Sequence, residues 1–480
     1  MFPLARHSRL AVLTAHRVIP ASFLAIVSTA LGTASAIVLI PDHVNSQKAL
    51  VASALVMSLA LLAAPLAALL HEPRLILRGE YLLTLAPIYW LLLDLLQGIY
   101  SMDTVEAVQI RQAFLAIGLF VVMVWIGAIR RAWRIPSTVL SSARQEFSPN
   151  GYFGLAVVSF AIGMLTFAIP CNFNIAEMVY YLGQERWAAP WARGQLGGWD
   201  AFLDHLQYFG YLLPLLTVVA STHYGWRNLR TIACVVMSFV MTMFLAQSGS
   251  RRVVGVVVGM ALILWVLTHE RFRAKHILQT CAVVLLLLLT LQVMLEYRNI
   301  GLASIVGIGT AAAEMREEKK RFLENEQLRV DDNFYRLCQI IQFIPKSYPF
   351  VYHKYFLYVL VRPIPRVFWP EKPVDAGFDL PSALGAEGVS YSYSVIGELY
   401  MSLGFLGVAL GGWFYGRVSA MARGLLTGSS TMAALVMYSV LVMALFSGMR
   451  SILELVLVSY VVLAWIGVSK LFKRIVTLRA

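Results

Sequence analysis

Charge is what this sequence has least of. Of its 480 residues only 14% are Asp, Glu, Lys or Arg, against 59% hydrophobic, and the mean hydropathy is +0.71. Soluble domains carry roughly 25% charged residues. A water-soluble globular fold is therefore excluded, and an all-α polytopic membrane protein is expected. Cysteine is scarce too. Cys171, Cys234, Cys281 and Cys338 have no metal-ligand spacing, so no metal site is expected, and nothing in the chain asks for another cofactor. Cys171 and Cys338 read either as a disulfide pair or as isolated small hydrophobes. The chain also lacks an acidic or basic tail, a low-complexity tract and an internal repeat. Its net charge of +13 would suggest nucleic acid in a soluble protein. In a membrane protein, Lys and Arg of the cytoplasmic loops account for it, and no nucleic-acid partner is expected.

Long apolar runs are what the sequence has instead. A membrane-spanning helix needs about 20 mostly apolar residues, and about 12 spans are expected: Val18–Ile40, Leu50–Leu70, Tyr81–Tyr100, Ala113–Ile129, Gly151–Pro170, Leu206–Thr222, Thr231–Gln247, Val253–Leu267, Ile277–Leu295, Ile396–Tyr415, Met432–Phe446 and Ile452–Val468. The chain divides into spans one to nine (1–295, with an outer loop 171–205), a large, mostly helical outer loop (296–395), and spans ten to twelve (396–480). Arg6, Arg9 and Arg17 before the first span resemble the start of a signal sequence, and Ala34-Ser35-Ala36 resembles a cleavage site. The apolar core is longer than a signal core, which favours an uncleaved anchor.

Orientation follows from Lys and Arg in alternate loops. One set holds 20 of them; the short loops of the other hold seven, Lys48, Arg111, Arg186, Arg193, Arg251, Arg252 and Arg450. Both termini are expected in the cytoplasm and 296–395 outside. Arg251, Arg252 and Arg450 sit in outer loops too short to need charge. Both loops read Ser-Gly-x-Arg (Ser248 to Arg251, Ser447 to Arg450), and each arginine stands at the start of the next helix. Free backbone N–H groups and the helix dipole favour an anion there. The alternatives are snorkelling to the interface and, for Arg450, a pair with Glu454 one turn on.

In the outer segment, Ala311–Leu328 is charged and reads as a solvated helix. Asp331-Asp332-Asn333 can cap the helix Phe334–Phe343. Ile340, Ile341, Phe343, Phe350, Tyr352, Tyr355, Phe356 and Tyr358 make an aromatic, amphipathic face suited to the membrane surface. Proline disfavours helix in the residue before it, so Arg362-Pro363-Ile364-Pro365-Arg366 is expected to be stiff and extended. In the loop 171–205, Trp187, Trp191, Trp199, Tyr180 and Tyr181 suit either sugar rings or an interfacial belt.

Three stretches suggest a family: Pro365-Arg366-Val367-Phe368-Trp369-Pro370-Glu371-Lys372-Pro373, Ile396-Gly397-Glu398-Leu399-Tyr400 and Gly404-Phe405-Leu406-Gly407. They resemble the Wzy-type oligosaccharide repeat-unit polymerases, the O-antigen polymerases of Gram-negative bacteria. Ser248-Gly249-Ser250-Arg251 resembles their arginine-bearing helix start, and the spacing from Arg366 to Gly377 is similar to a pattern in their loops. The likeness covers motifs over 248–407 and topology over the whole chain. It implies an inner-membrane enzyme of the C-type glycosyltransferase superfamily. Such an enzyme polymerises undecaprenyl-pyrophosphate-linked repeat units on the periplasmic face, without a nucleotide sugar. The bilayer, the lipid-linked donor and acceptor glycans, a flippase and a chain-length regulator are the implied partners. A ligase that moves glycan onto lipid A core uses the same donor; residues 361–404 favour the polymerase. A lipid-linked oligosaccharide flippase would place charges deep in the bundle and often repeat its halves.

The residues agree with such chemistry on their own. A lipid-pyrophosphate donor needs cations at the membrane surface, and arginine binds phosphate oxygens bidentately. As the glycosidic bond breaks, charge builds on the departing pyrophosphate, and prepositioned cations stabilise it. Arg251, Arg252, Arg298, Arg362, Arg366 and Arg450 are the outer arginines available for this. The acceptor hydroxyl needs a proton acceptor within reach: Glu398 is the first candidate and His353 the second, followed by Asp375 and Glu371. Tyr391, Tyr393 and Trp369 offer faces to a sugar.

Overall fold

A computed structural model describes residues 18–477 apart from 45, 100–101, 103, 131, 185–187, 192–196, 248–250, 270–273, 298–331, 363, 374–375, 387–390 and 429–430. The described chain is all helical, and ten of its helices are long and apolar enough to cross a membrane. In order, the main helices are α1 Val18–Val38, α2 Val51–His71, α3 Gly79–Gln97, α4 Ala107–Ile129, α5 Pro149–Ala168, α6 Asp200–Gly210, α7 Leu212–Tyr224, α8 Leu229–Gln247, α9 Arg251–Thr268, α10 Ala274–Tyr297, α11 Asn333–Phe343, α12 Lys354–Val361, α13 Ser394–Gly428, α14 Met432–Ser447 and α15 Ile452–Thr477. A multi-pass membrane protein follows from these lengths.

Two expected spans differ in shape. Leu206–Thr222 is broken between α6 and α7. Pro214 has no N–H to give to the carbonyl of Gly210, so the i→i−4 ladder ends there. Ile396–Tyr415 lies within α13, whose 35 residues would measure about 50 Å if straight, far beyond a hydrocarbon core of ~30 Å. The helix is instead kinked at Leu403 (φ −149, ψ 21) and Gly404 (φ 63, ψ −147), the second a conformation open to glycine. The chain doubles back there. A Cβ on Gly407 would lie 2.1 Å from the carbonyl oxygen of Leu399. Glu398 thus rides on a short buried segment, Ser394–Ser402, and the spanning part follows the kink.

That spanning part packs on α4 with nothing between the backbones. A Cβ on Gly416 would be 2.0 Å from Val124 O, and one on Gly127 2.3 Å from Trp413 O. Small residues at such crossings let van der Waals contact replace the missing hydrophobic drive. α14, 16 residues long, is buried along most of its length among α3, α9, α13 and α15.

Polar bonds mark the two ends of the bundle. At one end Glu80 is fully buried and receives Arg78 (Nε 2.8 Å, Nη2 2.6 Å), Arg423 and the Ser419 hydroxyl (2.7 Å). Tyr224 and Arg230 both bond Asn150 at that end. At the other end Arg252 of α9 meets Glu454 of α15, and Asn333 Nδ2 donates to the Trp90 carbonyl (3.0 Å).

The segment between α10 and α13 corrects several expectations. Ile340 and Ile341 are buried, because α11 packs on α4 and α13 instead of lying on the membrane surface. Tyr355 is buried as well; Phe356, Leu357 and Leu360 form the exposed side of α12. Asp332 stands at the N-cap of α11 but gives no side-chain cap, since its carboxylate is taken by Arg336 (2.6 Å). Arg362 is not extended: it closes α12 at φ −54, ψ −39. The Lys372 ammonium gathers the Arg362 and Ile364 carbonyls (2.8 and 2.6 Å) into a turn. Cys171 and Cys338 are both buried and free, with no disulfide between them. Ala311–Leu328, Ser248 to Ser250, Trp187, Arg298 and Asp375 lie outside the described residues.

Candidate functional site

The first turn of α15 gathers the site. The loop Ser447 to Ser451 turns the chain out of α14, with the Arg450 N–H bonded to Ser447 O (3.0 Å). Free N–H groups at the start of α15 must find acceptors. Glu398 supplies one: its Oε2 accepts from Ile452 N at 2.6 Å. The hydroxyls of Ser451 and Tyr355 also bond this carboxylate, and the Arg450 charge faces it. Glu398 is only 5% exposed, so these donors stand where water would otherwise solvate the charge.

The backbone explains why Glu398 arrives there. Val395 N donates to Met449 O (3.0 Å), tying the start of α13 to the loop before α15. Ser394, at φ 63, turns the chain into the helix. At the far end of the segment, Val351 N and Tyr352 N donate to Met401 O and Ser402 O (3.0 and 3.1 Å). The kink at Gly404 would otherwise leave those carbonyls without partners, so the strap before α12 serves as a cap for the Glu398 segment. That strap leads directly into α12, which brings Tyr355 to the carboxylate. Burial first, and then the Glu398 charge, push the Tyr355 phenol well above its ordinary value. It remains a hydrogen-bond donor at neutral pH.

Around this centre the other arginines fall into groups. Arg252, in the first turn of α9, pairs with Glu454, itself 6% exposed, and Arg251 precedes it in the same turn. The two arginine-led helix starts therefore meet, although 202 residues separate the paired side chains. Tyr208 and Tyr211 lie in the field of Arg252, Glu454 and Asp204. Arg362 bonds the Tyr358 hydroxyl. Arg366 and Trp369 are exposed in the turn after α12, and among the described residues no hydrogen bond or ion pair ties Arg366 to Arg450 or Glu398. His353 is exposed at the start of α12, and Glu371 is exposed beyond it. Phe368 meets Trp199 edge-on (6.0 Å), joining the turn after α12 to the loop before α6.

The chain matches no family model, no curated protein and no solved structure.

Side chains the sequence did not single out also stand here. Arg336 stacks on the ring of Tyr391 at 3.7 Å and is held by Asp332 and by Gln339 Oε1 (2.9 Å). A guanidinium thus covers one face of a tyrosine expected to meet sugar. The signal for Arg336 was its i,i+4 spacing from Asp332. Tyr393 is half-buried near Glu398, and burial, then that charge, raise its phenol well above the ordinary value. Ser451 and Tyr355 carried no sequence signal as partners of Glu398, because those contacts are made by folding alone. Among the described residues no group of three His, Cys, Asp or Glu side chains is placed to hold a metal ion.

Proposed function

We propose that this protein is a polyprenyl-pyrophosphate-dependent glycan polymerase of the bacterial inner membrane. It joins undecaprenyl-pyrophosphate-linked repeat units into a surface polysaccharide on the periplasmic side. The observation that carries the reading is the meeting of two arginine-led helix starts, α9 and α15, through Arg252 and Glu454, with buried Glu398 bonded to the start of the second. A lipid pyrophosphate presents its charge at the membrane surface, where transmembrane helices end. Arginine and helix N-termini are the groups that stabilise such charge as it develops on a leaving group. The outer turn carrying Arg366 and Trp369, and the aromatic contact between the two outer loops, supply surface for the glycan beyond the pyrophosphate.

Glu398 takes a supporting place in this reading. Three donors use most of the four acceptor positions of a carboxylate. Its work is to fix the start of α15, and with it Arg450, at the edge of the site.

The test is turnover in a defined system. Purified protein in liposomes, given undecaprenyl-pyrophosphate oligosaccharide extracted from cells lacking this protein, should yield lipid-linked oligomers and free undecaprenyl pyrophosphate. Glycan transfer only to added lipid A core would establish the ligase instead. Movement of the donor across the bilayer with no new glycosidic bond would establish a flippase. Sidedness is tested separately by reporter fusions at Lys320 and at the C-terminus. The Lys320 fusion should be active only as a periplasmic reporter, and cytoplasmic activity there would overturn the orientation.

A further inference from the structure

With most acceptor positions of Glu398 occupied, the proposed reaction needs another group to take the proton of the acceptor hydroxyl. We infer that His205, on α6, is that group. This rests on the functional reading above and assigns the acceptor side of the same site.

The imidazole is held in one orientation by its own helix. Its Nδ1 bonds the carbonyl of Ala201, one turn back. A carbonyl only accepts, so Nδ1 carries the hydrogen, and in the neutral ring Nε2 keeps the lone pair. That Nε2 is buried and finds no hydrogen-bond partner among the described residues. A buried acceptor left unbonded is uncommon in a folded protein and calls for an explanation; a ligand hydroxyl is the explanation taken here. The ring packs against Tyr460 of α15 (5.1 Å) and Tyr208 of its own helix (6.0 Å), and Tyr208 touches both Tyr460 (5.7 Å) and Tyr211 (5.2 Å). Tyrosine rings with polar edges suit a saccharide. The ring meets Tyr208 and Tyr460, and the ionisable groups about the adjoining Tyr208 and Tyr211 are Asp204 on α6, Arg252 on α9 and Glu454 on α15. His205 therefore belongs to the wall that carries the Arg252–Glu454 pair. The exposed His353 has no such setting.

The step balances without a further reactant. The acceptor oxygen forms its bond to the donor's anomeric carbon while its proton passes to Nε2. The bond from that carbon to the pyrophosphate oxygen breaks, and its electron pair leaves with the lipid pyrophosphate. His205 is then imidazolium and gives its proton up to solvent once the product has left.

The test is His205→Asn in the liposome assay above, because asparagine can still donate to Ala201 but has no basic atom. Turnover is expected to fall by ~10²–10⁴-fold, with the donor KM little changed. Added imidazole should restore part of the turnover of His205→Ala. His205→Asn activity within threefold of wild type would overturn the inference, as would a His205→Ala protein whose turnover imidazole does not raise. If His205→Asn does not fold, His205→Gln is read by the same criteria. Absence of turnover by the unmodified protein overturns the functional reading and this inference together. Turnover by the unmodified protein with an active His205→Asn overturns this inference alone.

Discussion

Replacing Glu398 with glutamine should remove polymer formation while leaving the protein in the membrane. Glutamine has nearly the same size. Its oxygen can still accept from Ile452 N, and its amide can donate toward the Ser451 or Tyr355 hydroxyl, so the start of α15 keeps its shape. What disappears is the negative charge facing Arg450. Without it the guanidinium is no longer held against the helix start, and the prepositioning of cations at the leaving group is lost. A fall of ~10²–10³-fold in kcat/KM is expected, the scale for loss of one prepositioned group, or about 3–4 kcal/mol at ~1.4 kcal/mol per decade. Full activity in a stably folded Glu398→Gln protein would remove Glu398 from the site.

Helices were the most legible part of the chain, since runs such as Val18–Val38 and Val51–His71 announce themselves by composition alone. The two misreadings in the bundle have a common cause. Hydropathy measures how apolar a run is and says nothing about backbone continuity, so Pro214 and Gly404 sit inside runs that read as whole spans. Leu206–Thr222 and Ile396–Tyr415 were accordingly too simple. Amphipathicity misled in a related way at α11. Its apolar stripe is real, but a stripe does not say whether lipid or protein covers it, and here α4 and α13 do.

The site was legible where charge stood against the surrounding pattern. Arg251, Arg252 and Arg450 attracted notice because loop charge on the expected outer side had no ordinary reason, and two of the three helix-start arginines now have described neighbours at the first turn of α15. The partnerships were invisible. Glu398 reaches Ile452 across 54 positions and Arg252 reaches Glu454 across 202, and neither spacing follows a helical period. His205 was passed over for the same reason. It closes a loop rich in aromatics, and only folding shows that Nδ1 is occupied while Nε2 is buried and unbonded.

At the opposite end of the bundle, Glu80→Gln should cost stability and leave chemistry alone. The carboxylate is fully buried between Arg78, whose side chain is 4% exposed, and Arg423, 13% exposed, with Ser419 as a further donor. It also joins α3 to the spanning part of α13, so it holds a helix whose other end carries Glu398. Neutralising Glu80 leaves two guanidinium groups close together in an interior that solvates neither. Breaking a buried pair by removing one partner typically costs ~3–5 kcal/mol, and here one removal uncovers two cations. The expected result is a clear drop in melting temperature in detergent and a fall in membrane abundance. Turnover per folded molecule should stay within about threefold, which is less than ~0.7 kcal/mol at ~1.4 kcal/mol per decade. The triple change Arg78→Met, Glu80→Gln, Arg423→Met should recover much of the loss, because no unpaired guanidinium then remains in the interior while the amide can still accept from Ser419. A Glu80→Gln protein that melts with the unmodified one would show that water or lipid headgroups reach these arginines. The triad would then be a surface contact, worth no more than ~1 kcal/mol, and α13 would be held to α4 by its glycine-mediated packing alone.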